Sequence, residues 1–167
     1  MKRLSFLTIL IAILLLSGCS VQKESHGIPL PYSLDQIETV ELIHHTGDPF
    51  CAEQKWITES EDISYIHNML SAEILIRDGS VDSSTQTDTL YITLHCIDGT
   101  GYTIKFESYG VKKGIISSED TPTFSHFTSA DVCWIWGVLA KDYEGQEISI
   151  EDDAYATEAP VVIGYDT

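Results

Sequence analysis

The side chains of this 167-residue chain best suited to chemistry are four cysteines and six histidines. Cys19 sits at the end of an apolar leader, which leaves Cys51, Cys96 and Cys133, an odd number. Outside the cytoplasm one disulfide among them would leave one thiol, and the spacing does not say which pair forms. Cys96 shares a strand face with Leu94, and Cys133 stands beside an apolar stripe, so both are expected as small buried hydrophobes. No neighbouring residue marks any of the three as an activated thiolate. Among the histidines, His44-His45 and the pair His95-Cys96 each direct successive side chains to opposite sides of a strand. A shared metal site therefore has to draw on different strands, and His45, His95 and His126 are the candidate ligands. Such a site requires their strands to be neighbours with matching faces. Exposed strand histidines that bind nothing are the commoner case, so neither a metal centre nor a catalytic residue is assigned. The stretch Asp78 to Ser83 has acids at the first and fifth places of a calcium loop but Ser83 at the glycine place, and Thr89 replaces the closing glutamate. A solvated loop explains it. The acids of Glu59, Glu61 and Asp62 suit the first turn of a helix. The chain has no nucleophile elbow, no zincin helix, no phosphate-cradling loop and no dinucleotide fingerprint.

Composition narrows the partners. With 9 basic against 26 acidic residues the formal charge is −17, which excludes a polyphosphate partner that depends on Lys and Arg. A cationic protein or peptide fits that field. The N-terminus carries its own signal: Met1-Lys2-Arg3 is followed by an apolar run from Leu4 to Leu16, broken only by Ser5 and Thr8. Thirteen residues cover about 20 Å of helix, short of the roughly 30 Å hydrocarbon core, so a secretory leader is the better reading than a spanning helix. Then comes Leu16-Ser17-Gly18-Cys19, which resembles the lipobox of bacterial lipoproteins. The resemblance implies cleavage before Cys19 and a diacylglyceryl group on its thiol, with no other cofactor. Two acyl chains hold a domain at a membrane without a basic patch. Loss of Lys2 and Arg3 with the leader takes the formal charge from −17 to −19.

These residues need elements to position them. Residues 1–18 read as the signal peptide, 19–35 as a lipidated tether containing Gly27, Pro29 and Pro31, 36–145 as the folded domain, and 146–167 as an acidic mobile tail. Ile37 to His45 reads as a strand with Val40, Leu42 and His44 on one face and Glu41 and His45 on the other, and Cys51 to Ile57 as a second, returning strand. Thr58 and Glu61 have the form of a capping box ahead of a helix whose stripe is Ile63, Ile66, Leu70 and Ile74. Leu90, Ile92, Leu94 and Cys96 alternate with polar residues and turn at Asp98-Gly99-Thr100-Gly101 into Tyr102, Ile104 and Phe106, an antiparallel hairpin. Short strands follow at Gly114 to Ser117 and Thr123 to Phe127. A last helix is expected from Thr128 or Ser129, with Val132, Ile135, Trp136, Leu139 and Tyr143 on its buried side and Gly145 as its stop.

The expected fold is α+β, a two-layer sandwich of an antiparallel sheet of about four to six strands with two helices. This layout, with the lipobox, the stretch Ile57 to Ile63 and the hairpin Leu90 to Phe106, resembles small uncharacterised lipoproteins of Gram-positive bacteria. It implies a domain held on the extracytoplasmic face of the cell membrane, and no site residue comes with it. The expected function is non-enzymatic binding of an unidentified ligand. The alternative is a metal sensor or small envelope enzyme using the surface histidines.

Overall fold

In the computed structural model, the described residues are 24–45, 51–77, 81, 88–118, 120–121 and 123–149. They contain nine strands: β1 (Glu24–His26), β2 (Ile37–His45), β3 (Cys51–Ile57), β4 (Leu75–Arg77), β5 (Asp88–Cys96), β6 (Gly101–Ser108), β7 (Gly114–Ser118), β8 (Ser125–Thr128) and β9 (Gln146–Ser149). All lie in one antiparallel sheet with spatial order β1-β4-β8-β7-β6-β5-β2-β3-β9. Two short helices accompany it among the described residues, α1 (Ser60–Asn68) and α2 (Trp134–Gly137). A π-helical turn (Met69–Glu73) extends α1, and a 3-10 turn (Leu139–Asp142) follows α2. The protein is therefore mainly β. The expected α+β sandwich with four to six strands is overturned.

The difference has identifiable causes. Glu24–His26, placed in the tether by its polar composition, pairs with β4, and Gln146–Ser149, placed in the acidic tail, pairs with β3. Strand pairing is made by backbone N–H and C=O groups, which composition does not reveal. The expected last helix shrinks to four residues: Val138, at φ −120°, is its C-cap, and the chain tightens from there into the 3-10 turn. Of its expected buried side, Val132 and Ile135 are fully buried and Trp136, Leu139 and Tyr143 are partly buried against the core, while Ala140, outside that stripe, is fully buried; successive turns replace one continuous helix. The capping box at Thr58 does not form, since Glu59 is the N-cap and makes no side-chain cap.

The sheet centre is the β5–β6 hairpin with β2 alongside. Leu90 faces Phe106, Ile92 faces Ile104 and Leu94 faces Tyr102, while Val40 and Leu42 of β2 oppose Leu94 and Ile92. Period-2 alternation puts all of these on one face. Ile63, Ile66 and Leu70 of α1 and its π turn pack on that face, as do Val132 and Ile135. Each fully buried Leu or Ile contributes about 1.5–3 kcal/mol, whereas a partly buried surface pair such as Lys105–Glu107 at 3.0 Å adds about 1 kcal/mol at most. Burial of this face thus decides the fold. On the opposite face a small cluster of Ile43, Ala52 and Tyr91 is joined by Ile148 of β9.

Candidate functional site

The three histidines expected as metal ligands are not brought together. His45 ends β2 opposite Thr89, with its ring 5.4 Å from that of Tyr91. His95 lies at the other end of the same strand pair, opposite Thr39, about 20 Å away at strand rise. Its Nε2–H donates to Glu41 Oε2 at 2.8 Å, and the Trp56 ring lies 5.1 Å from its own. His126 is on β8, three strands from β5, on the core face opposite Ile116 and against Phe124 at 4.9 Å. His45 and His95 share a face of adjacent strands but sit at opposite ends of the pairing, and His126 lies on a non-neighbouring strand and on the other face. Cys96 is a buried free thiol on the core face, and Cys133 is a half-buried free thiol. Cys19 and the Asp78 to Ser83 loop lie outside the described residues, apart from Val81.

A different histidine is drawn into a cluster. His44 shares the core face of β2 with Val40 and Leu42 and stands opposite Leu90 and Glu53. Asp88, the first residue of β5, comes two before Leu90 and so projects from the same face. Cys133 enters from the turn preceding α2, which buried Val132 and Ile135 fasten to the core. His44 Nε2 lies 3.6 Å from Asp88 Oδ1, and one donor atom from each of His44, Asp88 and Cys133 lies within 4.8 Å of the others. The His44 side chain is only 12% exposed, and its Nε2 is buried with no hydrogen-bond partner. Its ring rests 5.0 Å from that of Trp136. Lys55 Nζ covers that indole at 4.4 Å and donates to the Ala140 carbonyl at 3.0 Å, which fixes the wall of the cluster.

Burial pushes His44 below the ordinary imidazole value, against the opposing pull of Asp88 and Glu53. Burial also pushes the Cys133 thiol up to about 11, aided by the charges of Asp88 and Asp131. At neutral pH the cluster therefore holds a neutral imidazole and a neutral thiol. This is the reverse of a thiolate–imidazolium nucleophile. What the three residues offer instead is one nitrogen, one oxygen and one sulfur donor converging from three segments. The sequence signals were His44 on the face of Val40 and Leu42 and Cys133 beside the last apolar stripe. What sequence could not supply was the register that sets Asp88 next to them.

A second feature is an open groove of about 570 Å³ between α1 and the chain around α2. Glu61, Asp62 and Tyr65 line one side, and Trp134, Val138 and Leu139 the other. The Tyr65 and Trp134 rings lie 5.3 Å apart, with Tyr65 46% exposed. Tyr143 O–H donates to Asp62 Oδ2 at 2.6 Å and ties the two sides together. Trp134 reaches the groove because it lies off the buried stripe of Val132 and Ile135.

Comparison with family models, curated proteins and solved structures finds no match to this chain. Among the described residues no helix is long and apolar enough to cross a membrane.

Proposed function

We propose that this chain is a lipid-anchored, extracytoplasmic binding domain that takes up a cationic protein or peptide without catalysing a reaction. The observation that carries the reading is the groove, where the carboxylates of Glu61 and Asp62 stand beside exposed Tyr65 and Val138 and half-buried Trp134. Carboxylates next to π-faces suit a chain bearing Lys or Arg, which gains ion pairing and cation–π contact together. The strongly negative charge of the whole chain adds long-range steering. The location rests on the leader and the Leu16 to Cys19 lipobox.

The test is titration of a fluorescent Lys/Arg-rich amphipathic peptide into the full chain at low and high salt. Affinity should fall as salt screens the field, and Trp134→Ala and Glu61→Gln should each weaken binding by about tenfold, the usual size for a central interface residue. Binding that ignores both salt and these variants overturns the groove. Membrane fractionation of Cys19→Ser tests the anchor separately: the variant should keep its leader, lack the lipid mass and leave the membrane fraction once the leader is cleaved artificially.

A further inference from the structure

We propose that His44, Asp88 and Cys133 form a binding site for a divalent transition metal of the zinc class. The inference is independent of the groove and of the membrane anchor. Its basis is geometric: three donor atoms of different types, delivered by β2, β5 and the turn before α2, lie within 4.8 Å of one another. Ligand atoms around a metal held at about 2.0–2.3 Å are separated by roughly 3.3–4 Å, so small side-chain rotations close the shell. The His44 Nε2 is the second observation. It is a buried polar atom without a hydrogen-bond partner, in a protein interior where such atoms are normally satisfied. A metal ion would satisfy it.

The donor set selects the ion. Oxygen-seeking Ca²⁺ and Mg²⁺ have only Asp88 to hold here, whereas imidazole and thiolate suit Zn²⁺ and its spectroscopic stand-in Co²⁺. The charges facing the site favour a dication: Asp88 and Glu53 act on His44 and Asp88 and Asp131 on Cys133, opposed by Lys55. As the metal–sulfur bond forms, the Cys133 Sγ–H bond breaks and its proton leaves to solvent, with no change of oxidation state. Three protein donors leave the fourth place of a tetrahedral shell to water or to an incoming ligand.

The experiment is titration of the full chain, extracted in detergent, with Co²⁺ followed by absorption. The expected result is a thiolate-to-cobalt charge-transfer band with tetrahedral ligand-field bands, all displaced by Zn²⁺. Cys133→Ser should abolish the charge-transfer band, while Cys51→Ser and Cys96→Ser keep it. Asp88→Asn, which preserves shape, should weaken Zn²⁺ binding at least about tenfold, and circular dichroism reports whether each variant is folded. Should Cys133→Ser fail to fold, His44→Gln and Asp88→Asn decide by the same displacement assay. Absence of the band in the parent chain overturns the site, as does a band that survives Cys133→Ser or moves with Cys51 or Cys96.

Discussion

A single phenol illustrates how residue chemistry binds the groove to the core. Tyr143 closes the last turn and donates to Asp62 on α1. Burial, then the hydrogen bond to Asp62 and its negative charge, push the phenol from its ordinary value of 10 up to about 12. The folded chain thus holds this proton more tightly than the unfolded chain does. Its contribution to stability is complete below pH 10 and is lost as pH rises through 12. Tyr143→Phe should therefore flatten the alkaline loss of stability between those values, as read by denaturant unfolding at matched pH. A residue elsewhere shows how a buried polar group is satisfied by its neighbours. The almost fully buried Glu41 carboxylate accepts hydrogen bonds from His95 Nε2 and Gln54 Nε2 across two strand neighbours. Its alternation with Val40 and Leu42 identified its face, but the partners come from β3 and β5 and are set by register alone.

Among the elements, the least conspicuous one in the sequence is the most constrained in space. β1 is followed by Gly27 at φ +72°, from which the N–H of Gly27 reaches the Ile74 carbonyl at 2.7 Å and that of Ile28 reaches Leu70 at 2.8 Å. A Cβ at position 27 would overlap the Ser71 carbonyl of the π turn. Gly27→Ala combines a left-handed backbone with a clash against main chain, and should cost about 2 kcal/mol or more in equilibrium unfolding. By contrast, the β5–β6 hairpin and the α1 stripe were legible in the sequence, because each is encoded by its own periodicity: Leu90, Ile92 and Leu94 at period two, Ile63, Ile66 and Leu70 at helical spacing. Glu24–His26 and Gln146–Ser149 carry no such pattern. They become strands only because a partner edge is present. The same holds for the candidate site: the face of His44 and the place of Cys133 were readable, whereas their meeting with Asp88 depends on how strands distant in sequence align, and of the histidines chosen from sequence His45 and His95 fell at opposite ends of one strand pair and His126 on another strand and face.

At the scale of the whole molecule the sheet is open, with β1 and β9 as its outermost strands. β9 pairs Ala52 with Ile148 and Glu53 with Glu147, and its Ile148 packs on Ile43, Ala52 and Tyr91. Ending the chain before Gln146 should leave β3 as an unpaired edge, lower the melting temperature and raise light scattering, relative to a chain ended after Ser149. The two truncations differ by one acid, Glu147, so a gap between them reports the lost strand and not the lost charge. The position of β1 has a further consequence for the anchored protein proposed above. Five residue steps separate Cys19 from Glu24, a leash of at most about 17 Å, where a tether running to residue 35 would have allowed about 55 Å. The body would ride low over the lipid headgroups, moored by one margin of the sheet, and anything it captures would have to come down to the surface of the cell to meet it.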